Sequence, residues 1–146
     1  MPIPQRPALL VAASLAAATL ASPAVAATPS TTTHHTSLNA RATKDSVAPG
    51  QKDRAVLTLR SGKTGIAGEE ANFLVRMRRG VSTSSTWSAW TAVTATPGAT
   101  AGRYRIQVTL PPSTHQGHKE QYQVKFAGDS AHQYAASRSQ AFTVTA

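Results

Sequence analysis

Hydrophobic and polar residues alternate along most of the chain after residue 37. Residues 103–110 set Tyr104, Ile106, Val108 and Leu110 against Arg103, Arg105, Gln107 and Thr109. Residues 121–127 repeat this, with Tyr122, Val124 and Phe126 against Gln121, Gln123 and Lys125. Residues 54–60 place Ala55, Leu57 and Leu59 opposite Arg54, Val56, Thr58 and Arg60. In 71–79, Phe73, Val75 and Met77 oppose Asn72, Arg76 and Arg78, with Leu74 out of phase. A period of two gives each strand one buried and one wet face. Adding 38–43, 87–94 and 140–145 predicts about seven antiparallel strands. Turn signals separate them at Pro49-Gly50, Ser61-Gly62, Arg79-Gly80, Pro97-Gly98, Pro111-Pro112 and Gly128-Asp129. No apolar period of 3.6 is sustained after the first 27 residues, so the expected fold is an all-β sandwich without significant helix. Its core is expected from Leu57, Leu59, Phe73, Val75, Tyr104, Ile106, Val108, Tyr122, Val124 and Phe126.

The amino-terminal segment reads differently. Arg6 precedes an apolar run from Ala8 to Leu20 that is too short for a membrane span, followed by Ala24-Val25-Ala26-Ala27. This is the pattern of a secretory signal peptide, residues 1–27, cleaved after Ala26 or Ala27. The protein is therefore expected outside the cell, free or loosely wall-associated. Residues 28–37 are Thr/Ser-rich and nearly devoid of apolar side chains, which predicts a flexible arm. The domain proper is then expected over 38–146, with no transmembrane segment. The chain has no cysteine, which excludes disulfide staples, thiolate metal sites and a cysteine nucleophile.

The last two strands carry a recognisable pattern. Tyr122-Gln-Val-Lys-Phe-Ala-Gly-Asp129, then Tyr134, Ser137, Ser139 and Ala141-Phe-Thr-Val-Thr145, resemble the bacterial immunoglobulin-like (Big-type) repeat domains of secreted and surface proteins. Val47-Ala-Pro-Gly50 and Gly65-Ile-Ala-Gly68 resemble upstream turns of that family more loosely. Ile66 stands where proline is usual, and the Ser/Thr-rich stretch after Gly80 is longer than the pattern. The resemblance implies an immunoglobulin-like sandwich acting as a spacer, adhesion or binding module. Catalysis is not implied.

Candidate chemistry narrows the function further. No G-x-S-x-G, H-E-x-x-H or phosphate-binding glycine motif occurs. The acids (Asp45, Asp53, Glu69, Glu70, Glu120 and Asp129) show no pairing suited to hydrolysis. His34-His35 falls in the arm, and His115 and His118 in a loop without a further ligand nearby, so solvated histidines and no metal or cofactor are expected. Asp129 is expected to cap its own turn. Trp87-Ser-Ala-Trp90 on a regular strand would point its rings to opposite sides, so that one can be exposed for a sugar or protein partner; the alternative, and the plainer reading, is that both rings cover core edges of a small sandwich. The same string in thrombospondin-type repeats depends on cysteines that are absent here.

Basic residues outnumber acidic ones, 15 Lys+Arg against 6 Asp+Glu, for a net charge of +9. Arg76, Arg78, Arg79, Arg103, Arg105 and Lys125 are expected on wet strand faces. If their strands are neighbours, they form a single positive sheet face that attracts extracellular polyanions or a cell-wall component. Two alternatives stand beside this non-enzymatic reading. One is a carbohydrate-binding module using Trp87 or Trp90; the other is a protein-binding or inhibitor domain using the loop between Gly80 and Ser88. No motif specific for nucleic acid is present.

Overall fold

A computed structural model describes residues 32–146. The expected signal peptide (1–27) and the first part of the expected arm lie outside the described residues. No helix occurs among the described residues. The strands are β1 (Ser37–Ala42), β2 (Lys52–Ser61), β3 (Thr64–Gly65), β4 (Phe73–Arg79), β5 (Thr91–Val93), β6 (Thr96–Pro97), β7 (Arg103–Thr109), β8 (Lys119–Phe126), β9 (Ser137–Arg138) and β10 (Phe142–Thr145). One antiparallel sheet runs β1-β2-β7-β6, with β3 on β2; the other runs β10-β8-β4-β5, with β9 on β8. This is the ABED and GFC layout of immunoglobulin sandwiches, with β5 extending the second sheet as a C′ strand does.

The strand count corrects the expectation of seven. Each expected run contains a strand, and three two-residue pairings, β3, β6 and β9, bring the total to ten. These short pairings occur in connections that lack the alternation needed to make them visible. The 87–94 run is also curtailed, because only Thr91–Val93 pairs regularly with β4. The expected arm ends earlier than residue 37. His34 N–H donates to the Gln133 carbonyl (2.7 Å), and Ala135 N–H donates to the His34 carbonyl (2.9 Å). Thr36 Oγ1 donates to the Ala135 carbonyl (2.7 Å). Polar composition hid this docking, since it is made by backbone and hydroxyl groups and buries little apolar surface.

The core forms where the inner faces meet. Every expected core residue is buried except Val75, which packs against the cluster while partly exposed. Leu38, Ala40, Ala55, Ile66, Ala95, Leu110, Phe142, Val144 and Ala146 complete it. Phe73 of the second sheet meets Tyr104 of the first edge-to-face at 5.0 Å and lies 5.9 Å from Phe126. Such aromatic pairs add about 1 kcal/mol beyond area burial.

Two tyrosine hydroxyls tie the layers together. Tyr122 donates to the Thr109 carbonyl (2.8 Å). Tyr104, buried on β7, donates to the Ile66 carbonyl (2.6 Å) and accepts from Glu69 N–H (3.2 Å). Those two partners flank the point where the chain leaves the first sheet for the second. Beside them, Gly102 has φ +84 and packs on Gly65; a Cβ there would meet the Leu59 carbonyl oxygen at 2.5 Å. Only glycine accommodates both the conformation and the approach.

Tyr104→Phe keeps the ring packing and strips the hydroxyl from two buried backbone partners. It should cost about 2 kcal/mol, read as a lower urea midpoint with an unchanged slope. An unchanged midpoint would show that the hydroxyl does not secure the crossover.

Candidate functional site

The inner faces of the sandwich are apolar, so chemistry is left to the outer faces and the connections. Residues of β4 and β8 that point away from the core are Leu74, Arg76, Arg78, Lys119, Gln121, Gln123 and Lys125. The register sets Arg78 beside Gln121, Arg76 beside Gln123 and Leu74 beside Lys125, in three successive rows. Residues 87–90 run along the free edge of β4, held by Ser88 N–H on the Met77 carbonyl (2.8 Å) and Met77 N–H on Ser88 Oγ (3.0 Å).

This irregular stretch turns both tryptophans onto the same outer face, which corrects the expectation of opposite sides. Neither ring belongs to the core, so the alternative of two core-edge tryptophans is not met either. The Arg76 guanidinium carbon lies 4.7 Å from the centroid of Trp87 and 4.4 Å from that of Trp90. Arg78 lies 4.6 Å from Trp87, and Lys125 Nζ is 5.9 Å from Trp90. The order across the face is therefore Arg78, Trp87, Arg76, Trp90, Lys125. Each indole is flanked by cations from two successive rows.

The two glutamines hold the guanidiniums in place. Gln123 Oε1 accepts from Arg76 Nε (3.0 Å) and Nη2 (2.7 Å), and Gln121 Oε1 accepts from Arg78 Nε (2.7 Å). Gln123 Nε2 in turn donates to the Ser139 carbonyl (2.8 Å). Burial in this stack, then the nearby Arg138 and Arg78, pull the Arg76 pKa below its ordinary value. Arg138 pairs with Lys125 across β9 and β8 and extends the positive face.

The remaining expected cations lie elsewhere. Arg103 and Arg105 point outward from β7, which belongs to the first sheet. The single face expected from all six residues does not form. Strand order decides this, and alternation within one strand carries no information about strand order. Arg79, at the end of β4, is exposed and donates through Nη2 to Ser113 Oγ (2.8 Å), apart from the stack. The 80–88 loop carries Val81, a large hydrophobic residue that is 54% exposed.

None of the six carboxylates projects from an outer sheet face. Asp53 and Glu120 point inward and are buried, and Asp45, Glu69, Glu70 and Asp129 lie in connections. Among the described residues no lysine or arginine forms an ion pair with a carboxylate.

Asp129 behaves as expected, with Oδ1 accepting from Ala131 N–H (2.8 Å). The pairing of its Oδ2 with His132 Nδ1 (2.5 Å), next to buried Glu69, was not foreseen. Linear spacing gives no hint of it, because Glu69 arrives from the β3–β4 connection. The His132 hydrogen bond, helped by turn N–H groups, lowers the Asp129 pKa, and the same bond raises that of His132. Burial raises the Glu69 pKa, and Asp129 adds to the effect. His34 lies beside Tyr134, and His115 stacks edge-on to His118. An open polar groove of about 1090 Å³ lies along the β1 and β9 edges, lined by Asn39, Thr58, Arg60, Gln123 and Arg138 among others.

No family model matches this chain, and no curated protein matches it. Among solved structures, the sporulation control protein Spo0M from Bacillus subtilis aligns with 14% identity and a TM-score of 0.45. The alignment covers 76% of this chain and 49% of Spo0M, so this chain spans about half of that protein's length.

Both tryptophans of the chain sit in the cation stack, so tryptophan emission, excited selectively over tyrosine, reports on it alone. Arg76→Ala should change the emission and cost about 1 kcal/mol; unchanged emission would show that the stack does not persist in solution. A second check is acidity. His132 has a raised pKa, so its pairing stabilises the fold below the ordinary histidine pKa and is lost as pH rises through the raised one. The lowered Asp129 pKa makes that carboxylate's contribution fall away only in acid. His132→Ala should therefore lower the melting temperature more at pH 5 than at pH 8. Equal losses would discount the pair.

Proposed function

We propose that this protein is a non-catalytic binding module for linear polyanions of the extracellular space or cell envelope, engaged through the outer face of its second sheet. One observation carries the reading. The outward strand positions bear only positive formal charge, while every carboxylate is buried or in a connection. Charge arranged this way produces a one-signed field over each face and concentrates anions there.

The second sheet is favoured as the primary site because its cations are already ordered. Flexible side chains lose about 2 kcal/mol of rotamer freedom when a ligand fixes them, and the stack on Trp87 and Trp90 reduces that cost for Arg76 and Arg78. Arg78 commits only Nε to glutamine and Arg76 commits Nε and Nη2, so both Nη groups of Arg78 and Nη1 of Arg76 retain N–H donors suited to phosphate, sulfate or carboxylate oxygens. The signal pattern of residues 1–27 supports an extracellular setting, and the resemblance to bacterial immunoglobulin-like repeats supports binding without catalysis. The stack also weighs against the sugar-stacking alternative, since both indoles already have cation partners.

The test is retention of the purified protein on immobilised long-chain polyphosphate and on cell walls across about 50 to 500 mM salt. Retention should fall steeply as salt rises. Arg78→Gln combined with Lys125→Gln should weaken it about tenfold at the lowest salt, the effect of losing roughly 1.4 kcal/mol. Salt-insensitive retention, or none, would overturn the proposal.

A further inference from the structure

The expected single face is replaced by two, and the second face is built independently of the first. On the first sheet Arg54, Val56, Thr58 and Arg60 of β2 point outward, as do Arg103, Arg105 and Gln107 of β7 and Asn39 and Arg41 of β1. The register sets Arg41, Val56 and Arg105 in one row. Asn39, Thr58 and Arg103 form the next, and Arg54 with Gln107 the row on the other side. Lys52 beside Thr109 extends the pattern. Strands lie about 4.8 Å apart and alternate residues about 6.8 Å apart along a strand. The cations therefore form an open lattice about 10 Å across, interrupted only by neutral side chains.

The inner faces of the two sheets pack on each other through Phe73 and Tyr104, so their outer faces look in opposite directions. Packed sheets are about 10 Å apart, and side chains add to that on each side. A chain lying along one face cannot also occupy the other unless it wraps around an edge. A polyanion too short to turn the β1–β9 edge, where Arg60 of one face and Arg138 of the other line a single groove, consequently leaves the opposite face charged and open.

We infer that the domain is bivalent for polyanions, with the Arg41–Arg54–Arg103–Arg105 face as a second site, and that a single copy bridges two polymer chains. This rests on the polyanion reading above and adds stoichiometry and a cross-linking action to it. The two faces differ in character. The second sheet presents a short line of stacked, prepositioned guanidiniums, whereas the first presents a wider lattice of side chains with no aromatic partner. The second site should therefore bind more weakly and respond at lower salt.

The experiment uses two probes with the purified protein at low salt: a short oligophosphate, followed by calorimetry, and long-chain inorganic polyphosphate, followed by light scattering. The expected result is two oligophosphates per protein, and scattering that rises with added polymer and then falls when polymer is in excess. A variant of the face on the first sheet (Arg54→Gln, Arg103→Gln, Arg105→Gln), the second site, should bind one oligophosphate and lose the scattering. A variant of the face on the second sheet (Arg78→Gln, Lys125→Gln, Arg138→Gln) should do likewise. Binding of one oligophosphate by the unmodified protein without scattering would overturn bivalency while leaving the polyanion reading intact. Scattering by either variant at the level of the unmodified protein would also overturn it. Absence of binding by the unmodified protein would overturn both. Because the unmodified protein decides the stoichiometry, a variant that failed to fold would not rescue the inference.

Discussion

The hydroxyl of Tyr104 sits where the chain changes layers, and the division of charge in this protein follows from that crossing. By holding the Ile66 carbonyl and Glu69 N–H, it fixes the segment that leaves β3 on the first sheet and begins β4 on the second. Arg76 and Arg78 are thereby carried to the side of the sandwich opposite Arg103 and Arg105, although all four occupy wet strand positions. Gly102 allows the close approach that the crossing needs, because a Cβ at that position would collide with the β2 backbone. The ring of the same tyrosine packs on Phe73, so the crossing and the core are secured by one side chain. A domain without disulfides concentrates much of its order in such contacts.

The separation of charges has an energetic side. Buried acids are tolerated only where the backbone or a hydroxyl answers them. Asp53 accepts from Thr43 Oγ1 and from Arg54 N–H, and Glu120 Oε1 accepts from Thr114 Oγ1. Glu120 Oε2 has no partner. None of these acids neutralises an outward arginine. Repulsion among the cations of the second sheet is offset instead by indole faces and by glutamine oxygens, neutral groups that stabilise a guanidinium without cancelling its charge.

How much of this could be read from the sequence depends on the range of the interaction. Alternation is a local property, and it located the main strands, the inward residues from Leu57 to Phe126 and the outward arginines one at a time. Strand order is not local. Nothing in 103–110 says that it pairs with β2 rather than β8, so grouping Arg103 with Arg76 was unsupported and the structure separates them. The tryptophans were misplaced for a related reason. Period-two reasoning assumes a regular strand, and 87–90 is an irregular edge segment that turns both rings the same way. The union of Glu69, Asp129 and His132 required two connections to meet, and the docking of His34 required polar backbone pairing. Neither leaves a trace in hydrophobicity.

The Asp129–His132 pair lies in a connection, apart from both charged faces, and those faces are supplied mostly by arginine, with no histidine among their outward strand residues. A guanidinium keeps its proton throughout the range in which proteins stay folded. Acidity therefore acts on the folding equilibrium through the connection and leaves the charge carried by the two faces unchanged, while dissolved ions screen that charge and hardly touch the core. The two environmental variables address different parts of the molecule.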